Sequence, residues 1–164
     1  MNTGESLITI AAMLLLALTV LRVNSNILGT DTVLMDTKFG VLAVSLATSI
    51  IEEANKKSFD QADTADAVND VNLLTAPASL GPSVGEVYPH FDDFDDFNGF
   101  KDTVTNLPSA VFNVSCQVCY INPANPDVVS GSRTWHKKIT VFVTSPSMTD
   151  TFKLASIYSY WYFR

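Results

Sequence analysis

The sequence predicts an α+β fold: a long N-terminal helix with an apolar, protruding half, packed against a small antiparallel β-sheet. Three observations lead there. The chain opens on an apolar run, Leu7 to Leu21, that passes without a proline into an amphipathic stretch ending near Ser58. Its last third holds three segments rich in Val, Ile, Thr and aromatics, parted by turn-forming clusters, as strands are. Between the two lies an acidic stretch punctuated by proline and glycine. The expected organisation is therefore a helix over 1–58, a connecting acidic loop region over 59–108, and a three-stranded antiparallel sheet over 109–164.

The helix comes first. From Ser6 to Val23 only Arg22 is charged, so the run is about long enough to span a bilayer with its ends snorkelling. As one helix at about 1.5 Å per residue, residues 5 to 57 reach roughly 80 Å. No core of a 164-residue chain is that deep, so the apolar half must be buried in a membrane, in copies of itself, or in each by turns. A cleavable signal peptide is the competing reading. It is disfavoured because no Lys or Arg precedes the run, no clear small-x-small site follows it, and the helical register continues.

The two halves differ. Ile8 to Leu21 is apolar on nearly every face, which implies burial on every side. From residue 32 onward Met35, Phe39, Leu42, Leu46 and Ile50 recur at spacings of four or three, a single stripe fit to pack on a globular domain. Between the halves, Asn24-Ser25-Asn26 and Gly29-Thr30-Asp31 are poor helix formers, and a local break is expected within residues 23 to 31.

About 105 residues remain after the helix, enough for one core. The formal net charge of -7 argues against nucleic acid as a partner, since that needs a basic face. Acids concentrate beyond residue 51, as on a solvated outer surface. Asp60 to Asp70 suggests a short acidic helix, and Ala76-Pro77 to Pro89 reads as loop.

The sharpest local motif sets Asp92, Asp93, Asp95 and Asp96 among Phe91, Phe94, Phe97 and Phe100. Four crowded carboxylates are candidate calcium ligands, because calcium takes clustered oxygens. The EF-hand spacing fails, since counting back from Gly99 puts Phe94 at its first ligand position. A solvated acidic loop pinned by aromatics is the expectation, with the calcium site as its rival.

The strands are expected at residues 110–121, 134–144 and 151–163, an antiparallel meander. In the first, Phe112, Val114, Cys116, Val118 and Tyr120 share one face; in the second, Ile139, Val141 and Val143 alternate with Lys138, Thr140 and Thr144. Cys116 and Cys119 are three apart in a strand and so point to opposite faces, which argues against a bridge between them and against a redox motif. Zinc lacks further ligands, for His90 and His136 stand at no ligand spacing. Tyr158, Tyr160, Trp161, Tyr162 and Phe163 place aromatics on both faces of the last strand; one set fills the core and the other asks for cover by a neighbouring subunit. No phosphate-binding glycine loop, Gly-x-Ser-x-Gly or His-Glu-x-x-His occurs, and an enzyme is not expected.

On these residues the chain resembles the type IV pilins, whose mature subunits begin with a short apolar segment, a glutamate at the fifth place and a long apolar helix. Met1-Asn2-Thr3-Gly4-Glu5 followed by Ser6 to Leu21 looks like that arrangement. Ile50-Ile51-Glu52-Glu53-Ala54 through Phe59-Asp60 is similar to the helix end of minor pilins and type II secretion pseudopilins. The Phe91 to Phe97 element resembles one found in some MSHA-type minor pilins. In the register that starts at Met1, Glu5 takes the fifth place; with Gly4 as the cleavage glycine, Glu5 becomes first and Thr9 replaces the carboxylate. We adopt the Met1 register.

The resemblance implies a structural subunit of an extracellular helical filament at the cell surface, anchored in the inner membrane before assembly. Its partners would be further copies of itself and an assembly machinery, with no cofactor required. Met1, Glu5, Leu7, Ile8, Leu14, Leu15, Leu16 and Arg22 are the expected assembly residues, Glu5 neutralising the terminal amine or Arg22 of an adjacent subunit because a buried charge demands a partner. A minor pilin or pseudopilin is the alternative within the class, and a membrane-tethered extracellular binding module the alternative outside it.

Overall fold

A computed structural model of the chain describes residues 2–160, the side chain of Thr32 excepted. Expectations that fall on Met1, Trp161, Tyr162 and Phe163 lie outside the described residues. By its internal contacts the chain divides into two units, Met1–Lys38 and Phe39–Arg164.

One helix, α1 (Thr3–Ala54, 52 residues), begins in the first unit and ends in the second. The predicted break within residues 23 to 31 is absent. Poor helix formers there cost only a few tenths to about 1 kcal/mol each, and their hydroxyls suit the helix: Ser25 Oγ donates to the Arg22 carbonyl (3.0 Å) and Thr30 Oγ1 to that of Asn26 (2.9 Å). In the first unit every described side chain is exposed except half-buried Ser6.

In the second unit α1 packs one face on the sheet. Phe39, Ala43, Ala47, Ile51 and Ala54 are buried, while Leu42, Leu46 and Ile50 flank them, partly covered. The stripe is thus rotated from the predicted one: its centre line is small, and Met35 is 52% exposed. Alanines at the contact let the helix backbone come close to the strands, and the larger neighbours close the edges.

The strands are β1 (Lys101–Val104), β2 (Phe112–Asn122), β3 (Asn125–Val129), β4 (His136–Thr144) and β5 (Phe152–Ser159). Their order is β1-β2-β4-β5, all neighbours antiparallel, with β3 folded back on the end of β2. Cys116 pairs with Val141 and Lys138 with Ile157, fixing the register of the central strands. The inward face of β2 is the expected one, with Phe112, Val114, Cys116, Val118 and Tyr120 all buried.

Two strands depart from the three expected. β3 arises where Asn122-Pro123-Ala124-Asn125 turns the chain tightly enough for a hairpin, Asn122 opposite Asn125. β1 lies ahead of residue 109, inside the expected connection; it pairs with the Phe112–Ser115 portion of β2 from Lys101–Val104. A four-residue edge strand with three exposed side chains carries no hydrophobic alternation to betray it.

The helix itself ends at Ala54, and the chain continues through a series of 3-10 turns rather than the expected acidic helix: Gln61–Asp63, Val71–Leu73 and Pro77–Ser79. A second small core, Phe59, Val68, Leu74, Tyr120 and Tyr160, closes around this connection.

Candidate functional site

Two features are candidates for function, and each lies within one unit. The first is the apolar half of α1. Leu7, Ile8, Leu14, Leu15 and Leu16 are each 60–71% exposed, and among the described residues α1 is the one helix long and apolar enough to cross a membrane. Glu5 stands in its first turn, exposed. Arg22 lies seventeen positions on, about 25 Å along the axis at the helical rise, so the two cannot neutralise each other within one chain.

The second feature is the Phe91–Phe100 turn. Phe91, Phe94, Phe97 and Phe100 are all buried. Phe91 meets the Phe97 ring edge-on at 5.2 Å, and Phe94 lies 5.1 Å from the Tyr158 ring. A 3-10 turn, Asp95–Phe97, forms between them, and Gly99 leaves it at φ +80, a conformation few side chains tolerate. Hydrogen bonds then lock the turn in place. Phe94 N donates to Ser58 O (2.8 Å), Gly99 N to Cys116 O (3.1 Å), and Val118 N to Asn98 Oδ1 (3.0 Å). Aromatic anchoring therefore stands as expected.

The solvated acidic surface does not. Asp93, Asp95 and Asp96 are each 1% exposed, and only Asp92 faces water. The correction has a physical cause, a buried lysine. Lys137, fully buried, reaches Asp60 Oδ2 at 2.7 Å and the Phe59 carbonyl at 2.6 Å, and also contacts Asp95 Oδ1. Its ammonium lies 4.5 Å from the centre of the Phe59 ring, a cation–π contact. Asp60 also accepts from Thr75 N (3.0 Å), Thr75 Oγ1 (2.9 Å) and Tyr120 OH (3.1 Å). A buried ion pair is tolerable only when its remaining hydrogen-bonding capacity is met, and here it is.

Backbone N–H groups hold the other carboxylates. Asp93 Oδ1 accepts from Asp95 N (2.8 Å) and Asp96 N (3.2 Å); Asp96 Oδ2 accepts from Asp92 N (3.0 Å) and Asp93 N (3.1 Å). Burial, with Asp95 and Asp96 alongside, pushes the Asp93 carboxyl up to about 9. Burial alone would also raise Asp60, but the Lys137 charge and the hydrogen bonds from Lys137, Ala62 and Thr75 outweigh it and hold that carboxyl below its ordinary value.

The four predicted calcium ligands consequently do not converge on one point. Asp95 turns to Lys137, and Asp93 closes the turn. Among the described residues the carboxylates that gather are Glu86, Asp92 and Asp96. Glu86 was missed because it sits in a loop without pattern. Lys137 had a signal: it has the parity of Ile139, Val141 and Val143, so a period of two places it on the inward face. Cys116 is buried and Cys119 half-buried, on opposite faces as expected, and burial pushes the Cys116 thiol up to about 12. His136 is half-buried, its Nδ1 2.8 Å from Ser159 Oγ.

Comparison with protein families, with curated proteins and with solved structures finds no match. What stands is an architecture of pilin-like kind: a long N-terminal helix, apolar at its start, whose later turns pack on an antiparallel sheet.

Proposed function

We propose that this chain is a structural subunit of an extracellular type IV pilin-like helical filament, assembled through the apolar half of α1. One observation supports the reading: the helix divides into turns that its own sheet covers, from Phe39 on, and turns whose large apolar side chains are left exposed among the described residues. In this scheme the apolar half rests in the inner membrane before assembly and bundles with its copies in the filament axis afterwards. Lipid is already apolar, so the transfer gains little from the hydrophobic effect. Close packing, pairing of Glu5 with a neighbour's terminal amine or Arg22, and an assembly machinery supply the direction. Repeated head-to-tail contacts that do not close give a helix of subunits. The role is structural, with no catalytic step.

The test is electron cryo-microscopy of fibres sheared from cells, with the intact mass of the subunit alongside. Fibres whose axial density fits residues 5 to 54 as bundled helices support the reading. A protein found only as a monomer in detergent-solubilised membrane sinks it, and favours a membrane-tethered binding module. A subunit found at fibre tips or in short assemblies is a minor pilin or pseudopilin.

A further inference from the structure

We propose that Glu86, Asp92 and Asp96 form a binding site for a divalent cation with the size and hardness of calcium. One carboxylate oxygen from each residue lies within 4.8 Å of the other two. Calcium holds its oxygens at about 2.3–2.6 Å, so ligands around a single ion lie no more than about 5 Å apart. The spacing therefore fits one shared ion.

A separate observation points to the ligand. Asp96 is 1% exposed, and while Oδ2 takes two backbone N–H groups, Oδ1 is buried with no hydrogen-bond partner among the described residues. A buried carboxylate oxygen without donor or cation is costly and rare in native proteins. Among the described residues a cation stands close to this turn: the Lys57 ammonium donates to the Phe91 carbonyl at 2.5 Å.

All-oxygen ligation suits calcium over zinc or copper. Three carboxylates with an irregular spacing also suit calcium over magnesium, which demands near-ideal octahedral geometry and dehydrates reluctantly. Waters complete the shell on the side of exposed Asp92. The site joins two segments of the chain. Asp92 and Asp96 belong to the hydrogen-bonded Phe91–Phe100 turn, whereas Glu86 belongs to the proline- and glycine-rich loop before it, after Gly85 at φ +90. A bound ion ties that loop to the turn.

The test is calorimetric titration of the full chain in detergent with calcium chloride, at neutral pH and physiological salt, alongside thermal unfolding. Expected is a single site with Kd of about 10⁻⁴–10⁻³ M and a rise in Tm of about 3–6 °C at ten times Kd. Glu86→Gln, at a half-buried position where the amide oxygen can still accept from Ser83 N, and Asp92→Asn, at an exposed one, each weaken binding tenfold or more without lowering Tm in the absence of calcium. Asp127→Asn, an exposed acid elsewhere, leaves binding unchanged. Absence of heat and of any Tm rise overturns the proposal. So does wild-type binding in both Glu86→Gln and Asp92→Asn, or an equal loss in Asp127→Asn, which would mark mere charge screening. Magnesium binding as tight as calcium would overturn the calcium assignment.

Discussion

Replacing Lys137 with methionine is the most discriminating perturbation of the second unit. Methionine fills nearly the volume of the lysine stem, so packing changes little and the charge is isolated. The substitution strands Asp60 and Asp95 in a place where neither is exposed. Removing one member of a buried pair typically costs about 3–5 kcal/mol, most of it the cost of an uncompensated buried charge. The two carboxylates are not equally affected. Asp60 keeps four donors, from Ala62 N, Thr75 N, Thr75 Oγ1 and Tyr120 OH, whereas Asp95 loses its only cation. Asp95→Asn in the Lys137→Met background should therefore recover about half of the loss. Alone it should cost only about 1–2 kcal/mol, since an amide oxygen still accepts from Lys137 and Asp60 still balances the charge. The assay is urea unfolding in detergent, followed by aromatic circular dichroism. Lys137→Met should lower Tm by about 10–20 °C for a unit of this size. A loss below about 1 kcal/mol, or no recovery in the double variant, would falsify the ion-pair account and return the cluster to ordinary polar packing.

Three further outcomes are expected. Ala47→Leu overpacks the face of α1 against the sheet, where Ala47 is fully buried, and should cost about 1–3 kcal/mol, while Val41→Leu on the exposed face changes stability by less than about 0.5 kcal/mol. Asp60 has a carboxyl held below its ordinary value of 3.8, so its contribution is present above that pH and lost as pH falls through its lower value in the folded state. The gap in stability between wild type and Asp60→Asn should accordingly be constant from neutrality to about pH 5 and shrink below pH 4; a gap that widens on acidification refutes this. Cys116 and Cys119 should stay reduced in mild oxidant, both thiols counted by alkylation mass after unfolding, and in the folded protein Cys116 should resist alkylation far longer than Cys119. A mass two hydrogens lighter would show the bridge that their opposite strand faces forbid.

Legibility followed how local each signal was. β2, β4 and β5 were visible because alternation is a property of a few adjacent residues, and the wall it predicts, Phe112 to Tyr120 by twos, is the wall observed. β1 was invisible because Lys101–Val104 is held by pairing with β2 rather than by any pattern of its own. The continuity of α1 through Asn24 to Asp31 was misjudged because helix propensities are weak priors against a long cooperative helix. In the acidic turn the phenylalanines were read rightly as anchors. The aspartates were placed in water because four adjacent charges have no local reason to be buried; their reason is Lys137, 42 residues from Asp95 in the chain.

By itself the sequence determined the fold class, a half-helix too long and apolar for a core of its own, and strands whose faces follow from a period of two. These are consequences of hydrophobic pattern, which acts residue by residue along the chain. Only the tertiary structure decided which face of α1 is buried, since Ala43 and Ala47 are preferred there for close approach and not for hydrophobicity. It alone turned Asp95 toward Lys137 and gathered Glu86 with Asp92 and Asp96. Charge interactions act through space and are strongest where water is excluded, and which charges meet there is fixed by how distant segments pack.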